Sequence, residues 1–208
     1  MLGITLYRDE AVHEVPKRLN ICAKGLASLD LPARSGISQT RARLRTDPVD
    51  DLFRNCGQHW GAEHYPDDDW QGMQVLPIDG ALLRTADTPE LRAHFGSGNT
   101  DTERQTPYPL MRLVALMNAR SHIMLDSRLS PYRLGEARLA EGLLDRFPDR
   151  SVRLLNKGFW GADLLLSLDG NGAERHCLTP SRSNLVAKEV KRYNAHDRLL
   201  KMRISPQA

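Results

Sequence analysis

The stretch SVRLLNKGFWGADLLLSL, residues 151–168, decides the fold. Its apolar run ends at Asn156, and Lys157-Gly158 then make a turn. From about Ala162 to Leu168 the apolar residues suit a helix. A short buried strand handing over to a helix is a building unit of mixed α/β sheets. In sheet-based enzymes such a strand end often presents a carboxylate at the open edge of the sheet. Here it presents an amide, which leaves two readings of Asn156: an Asx-type turn residue before Gly158, or a site position whose acid has been replaced.

Upstream, Arg133 to Phe147 carries Ala137, Ala140, Leu143, Leu144 and Phe147 at helical spacing. Before it, Leu110–Asn118 reads as a strand, and the segment from Ser121 as its antiparallel partner across a tight turn. Thr88-Pro89-Glu90 starts a short helix ending near Gly96, and Met73–Asp79 is a short apolar strand that stops at Asp79-Gly80. Downstream, a strand is expected near His176–Leu178. The order is three strands, helix, strand, helix, strand, and it predicts a mixed sheet with helices on its faces.

The first ~65 residues read as helical. Glu10–Leu19 places Val12, Val15 and Leu19 on one face. Ser35 or Ser38 caps a short helix bearing Arg41, Arg43 and Arg45. Asp47-Pro48 then serves as N-cap and first-turn proline of a helix reaching about Trp60. The loop Tyr65–Gly72 marks the expected domain boundary.

Composition narrows the function classes. The chain has 208 residues, 40% of them apolar and 26% charged, enough to build a core and stay soluble. No apolar run approaches the ~20 residues of a membrane span, and the start is not a secretory signal. Cys22, Cys56 and Cys177 lie far apart and have no metal-knuckle spacing, which fits a reduced, cytoplasmic protein. The net charge of +3 is small, but eight Lys/Arg and two acids fall between Arg175 and the end. That segment is either a phosphate-facing surface or a solvated hairpin. Leu2–Tyr7 reads as a helix entered midway and Lys201–Ser205 as an unclosed strand, so the chain is expected to be part of something longer.

Two positions carry chemistry. Asp79, at the end of a rigid strand, is suited to hold a divalent metal, although Asp-Gly is also the commonest turn dipeptide. Asn156, on a neighbouring strand, is placed to reach the same ion, but an amide oxygen brings no negative charge. Two-metal phosphoryl chemistry needs acidic oxygens around ions ~3.5–4 Å apart. The histidines are isolated or badly spaced as ligands, and no phosphate loop or G-x-S-x-G motif is present.

The run VLPIDGALLRTADTPELRAHFG, residues 75–96, resembles the bacterial DDE transposases of the insertion sequence four group. The shared features are an apolar strand ending in Asp79-Gly80, the block Arg84-Thr85-Ala86-Asp87-Thr88-Pro89-Glu90, and Phe95. LYRDEAVHEV and SGISQTRARLR upstream are similar to the group's N-terminal segment. Tyr108-Pro109, Gly135-Glu136 and NKGFWGADLL follow in family order, so the resemblance spans essentially the whole chain.

This resemblance implies an α/β, ribonuclease H-like mixed sheet with flanking helices, preceded by a small helical N-terminal region and incomplete at its C-terminus. It also implies three carboxylates holding two Mg²⁺ ions that activate water, then a 3′ hydroxyl, for attack on DNA. Asp79 matches the first carboxylate and is the expected metal ligand. Asn156 stands at the second, in an Asp-(Arg/Lys)-Gly-(Phe/Tyr) motif. The third, in a Tyr-x-x-Arg-x-x-x-Glu pattern, has no match after Phe159. The expectation is therefore a transposase relative truncated at both ends, with Mg²⁺ binding impaired and cleavage lost.

Residues 1–70 are expected to form the helical N-terminal region, 71–186 the catalytic core, and 187–208 the start of a β-rich insertion. The implied partner is DNA, both transposon ends and target, contacted by Arg41, Arg43, Arg45, Lys157, Lys191 and Arg192. Self-association or pairing with a full-length transposase is expected as well, in a cytoplasmic, nucleoid-associated setting with no membrane partner. The alternative is a regulatory protein that inhibits or pairs with a full-length transposase. Completion of the site in trans is disfavoured, because a new C-terminus would not restore the acid at position 156.

Overall fold

The computed structural model describes residues 9–11, 14–15, 34–61, 70–97, 106–170 and 172–202. The chain divides into two compact units, Met1–Asn55 and Cys56–Ala208. The helix expected at Glu10–Leu19 lies mostly outside the described residues.

In the first unit, α1 (Arg34–Leu44) carries Arg41 and Arg43 in its last turn, and Arg45 follows at φ 60°. Ser35 and Ser38 lie inside α1 and do not cap it, which corrects the expected cap. The division between units falls within α2 (Asp47–Gly61). The carbonyl of Thr46 accepts from the Val49 and Asp50 amides, both at 3.0 Å. Thr46 is therefore the N-cap of α2, one residue before the expected Asp47, and Pro48 stays in the first turn, where its missing N–H costs nothing.

The second unit is built on a five-stranded sheet of order β3-β2-β1-β4-β5. Its strands are β1 (Gln74–Arg84), β2 (Leu110–Met117), β3 (Met124–Pro131), β4 (Ser151–Leu155) and β5 (Arg175–Leu178). β1 pairs antiparallel with β2, and β2 antiparallel with β3. β1 pairs parallel with β4, and β4 parallel with β5. A three-stranded meander joined to a parallel pair is the ribonuclease H-like arrangement that the resemblance implies. No helix among the described residues is long and apolar enough to cross a membrane.

β1 runs five residues beyond the expected stop at Asp79-Gly80. Asp79 and Gly80 are paired with Ala115 and Val114, so the dipeptide lies within a ladder and makes no turn. The antiparallel partner supplies hydrogen bonds that override the weak strand preference of Asp and Gly. The short helix α3 (Pro89–Phe95) is capped as expected, with the Leu91 amide donating to the Thr88 hydroxyl at 3.3 Å. Its own backbone amide and the Thr88 hydroxyl hold the Glu90 carboxyl below the usual carboxylate range.

The helical periodicity of Arg133–Phe147 is realised as two pieces. These are α4 (Glu136–Glu141) and a 3-10 turn at Leu144–Arg146, separated at Gly142. The helix is shorter than expected, but its apolar residues still face inward. Leu139, Leu143 and Phe147 pack with Leu76 and Ile78 of β1 and Val114 and Leu116 of β2. Each such fully buried side chain contributes about 1.5–3 kcal/mol.

α5 (Ala162–Gly170) adds Leu164 and Leu168 to this core. Arg153 of β4 is buried there, donating to the Leu168 carbonyl at 2.8 Å with its guanidinium 4.6 Å from the centre of the Phe147 ring. A cation at a helix C-terminus, over an aromatic face, meets both the helix dipole and the ring quadrupole. Beyond the sheet, β6 (Ala187–Arg192) and β7 (Arg198–Met202) form a separate antiparallel ribbon. The remaining part of the strand expected at Lys201–Ser205 lies outside the described residues.

Candidate functional site

Strand alternation fixes where the candidate residues emerge. Pro77 of β1 is in register with Leu154 of β4. Two residues further, Asp79 and Asn156 leave the same face of the sheet side by side. The β1–β4 ladder ends at the Ile78–Leu155 pair, so the two polar side chains sit where the parallel pairing opens.

They are in direct contact. The Asn156 Nδ2 group donates to Asp79 Oδ1 at 2.7 Å. The same carboxylate oxygen accepts from the Gly80 amide at 2.8 Å. On its other side, Asn156 Oδ1 accepts from the Gly158 amide at 2.7 Å. Asn156 is thus both the N-cap of the 3-10 turn Lys157–Phe159 and the partner of Asp79. The Asx-type turn is present, and the same side chain stands beside Asp79.

A third side chain reaches this place, one to which the sequence reading gave no role in a site. Glu136 opens α4, and a Cβ at Gly80 would fall 2.5 Å from its carboxyl carbon. A Cβ at Gly158 would lie 3.7 Å from its Oε2. A side chain at position 80 would displace the Glu136 carboxyl from this place. Arg112 of β2 pairs with Glu136 Oε1, and its guanidinium lies 5.4 Å from the centre of the Tyr132 ring. The sequence signals were the family-order pair Gly135-Glu136, to which no role was given, and the glycine following Asp79, which was read as a turn.

Of the other candidate residues, Lys157, Lys191 and Arg192 share the second unit with this pair. Lys157 follows Asn156 and is exposed. Arg41, Arg43 and Arg45 belong to the first unit and are exposed. Lys191 and Arg192 lie on the β6–β7 ribbon. Arg192 is engaged by Glu189 at 3.0 Å, and the Lys191 ammonium sits 4.8 Å from the centre of the Tyr193 ring. Lys188 and Lys201 are cross-strand partners on that ribbon.

The donor set does not fit a pair of Mg²⁺ ions. Mg²⁺ takes hard, charged oxygens in near-ideal octahedral geometry. At the strand ends Asp79 offers one carboxylate, Asn156 turns its N–H bonds toward that carboxylate, and Arg112 already balances Glu136. Among the described residues no group of three or more His, Cys, Asp or Glu is placed to hold a metal ion.

Comparison with known proteins bears on the whole chain. The family described as insertion element 4 transposase N-terminal matches residues 1–54. A putative transposase, InsZ of Escherichia coli (strain K12), is 47% identical over 183 residues, covering 88% of this chain and 61% of that protein. The transposase InsG for insertion sequence element IS4, of the same strain, is 32% identical over 209 residues, covering 100% of this chain and 46% of that protein. The chain thus spans about half the length of these two relatives. A cryo-EM structure of a piggyBac transposase synaptic complex with hairpin DNA matches with a TM-score of 0.45 and 14% identity, covering 76% of this chain and 32% of that one.

Proposed function

Because this chain belongs to the insertion element 4 group of transposases, we propose that it is a member that contacts DNA but does not itself cleave or join strands. The observation that carries the reading is the Asn156 amide donating to Asp79. In a two-metal mechanism both positions bring negative charge to the ions. Here the second position brings none, and it spends its donor on the first. In this reading, residues 1–70 are the helical N-terminal region, 71–186 the sheet that would carry the chemistry, and 187–208 a β-rich extension.

The test is nicking of supercoiled plasmid with Mg²⁺ or Mn²⁺. No relaxed product is expected above background. Nicking that disappears in Asp79→Ala would show that a working site exists and would end the proposal.

DNA contact is assigned to exposed cations on both units: Arg41, Arg43, Arg45, Lys157, Lys191 and Arg192. Each phosphate neutralised makes the salt dependence steeper by about 0.9 in log K against log salt. Binding should therefore weaken steeply with salt, and Lys157→Ala should flatten the slope by about one contact. Arg192→Ala should flatten it less, since Glu189 already holds that guanidinium. A duplex-binding curve with no salt dependence would remove the DNA-contact assignment.

A further inference from the structure

We propose that Asn156 makes the ends of β1 and β4 into a clasp that needs no cation, an amide N–H standing where a divalent ion would otherwise have to join two carboxylates. This rests on the non-cleaving reading of the same site and adds what the site does instead: it ties two parallel strands together.

The orientation of the amide follows from its neighbours. The Gly158 amide is a donor and can meet only the Asn156 oxygen, which it does at 2.7 Å. The Asn156 nitrogen is thereby aimed at Asp79 Oδ1, 2.7 Å away, and a carboxylate oxygen can only accept. The Gly80 amide completes that oxygen at 2.8 Å. Three donors and two acceptors are matched with no ion. The neighbouring Glu136 carboxylate is balanced by Arg112. The Asp79 Oδ1 oxygen is thus met by two neutral N–H donors and the Glu136 carboxylate by a guanidinium.

The same geometry says what an acid at position 156 would do. One of its oxygens would keep the Gly158 amide, and the other would face Asp79 at hydrogen-bonding distance. Two carboxylates in contact cannot both stay ionised without a proton or a cation between them. Asn156→Asp should therefore make the chain less stable at neutral pH without a divalent ion than with one. The double variant Asp79→Asn with Asn156→Asp exchanges donor and acceptor and should restore independence.

The experiment is thermal melting of the full chain at neutral pH, in EDTA and in Mn²⁺, with Mn²⁺ binding followed by electron paramagnetic resonance. The wild-type chain should melt at the same temperature in both. Asn156→Asp should melt earlier in EDTA, recover in Mn²⁺, and bind Mn²⁺ tighter than wild type by about tenfold or more, as expected from an added anionic ligand. If it is unfolded in EDTA, folding on addition of Mn²⁺ is the readout. The exchanged double variant should lose the Mn²⁺ response and regain most of the wild-type melting temperature.

Two results would overturn the clasp: a wild-type chain that binds Mn²⁺ as tightly as Asn156→Asp, or an Asn156→Asp chain that melts alike with and without the ion. These melts are independent of plasmid nicking, so failure of the clasp and failure of the non-cleaving reading are seen in different assays.

Discussion

Asp126→Ala is expected to lower the melting temperature by about 10 °C, from a loss of about 3 kcal/mol at roughly 2–4 °C per kcal/mol. The Asp126 carboxylate on β3 is 1% exposed. It accepts from the Ser127 amide at 2.8 Å, from Arg128 Nη1 at 3.3 Å and from Arg146 Nε at 3.1 Å. Arg128 Nη2 also donates to the Gly142 carbonyl at 2.9 Å. One buried acid thus gathers β3, the break after α4 and the 3-10 turn around a single point.

Removing the carboxylate leaves the Ser127 amide and two guanidinium groups without their shared acceptor. Both keep some water, with 30% and 39% of their side chains exposed. For that reason the loss is set at the lower end of the range for breaking a buried pair. Asp126→Asn should cost less than Asp126→Ala, because an amide oxygen still accepts from the Ser127 amide. Circular dichroism melts of the two variants check the order. Equal melting temperatures for Asp126→Ala and wild type would show that the arginines are satisfied by water.

Gly57→Ala is the second large effect. In an open helix interior this change usually stabilises by about 1 kcal/mol. Here the sign should reverse. A Cβ at Gly57 would lie 2.6 Å from the Leu125 carbonyl oxygen and 2.6 Å from that of Met124. Both atoms belong to the backbone of β3 and have no rotamer to adopt. The C-terminal turns of α2 and the strand would have to move apart, and overpacking of this kind costs about 1–3 kcal/mol. A net loss of about 2 kcal/mol is expected in chemical denaturation, from overpacking set against helix propensity. An unchanged or raised midpoint would mean that α2 can lift from β3 without loss.

Much of the fold was legible because local pattern and tertiary context agree. The hairpin of Leu110–Met117 with its partner from Met124, the Thr88 cap and the strand-turn-helix at Ser151–Gly170 all rest on neighbours in sequence. The misread boundaries have a shared cause. The end of β1 was placed at Asp79-Gly80 because that dipeptide favours turns, yet β2 supplies a ladder through it. The single helix expected over Arg133–Phe147 breaks at Gly142, where apolar periodicity continues without an α-helix.

The candidate site was half legible. Asp79 and Asn156 could be named from strand ends and from family resemblance. Their hydrogen bond could not, since it joins residues 77 apart in the chain. Glu136 was named only within the family-order pair Gly135-Glu136 and given no role, because its approach to Gly80 joins residues 56 apart in the chain.

The parallel pairing of β1 with β4 also sets an order of assembly. The β2–β3 hairpin closes over a few residues and can form early, whereas β4 must return across some 77 positions to reach β1. Closing the longer loop costs more chain entropy before any contact repays it. As the chain leaves the ribosome, β1 is complete well before its partner exists. During that interval β1 presents an unpaired edge of backbone donors and acceptors to any neighbouring chain. The hazard of mispairing therefore grows with the time taken to synthesise and dock β4.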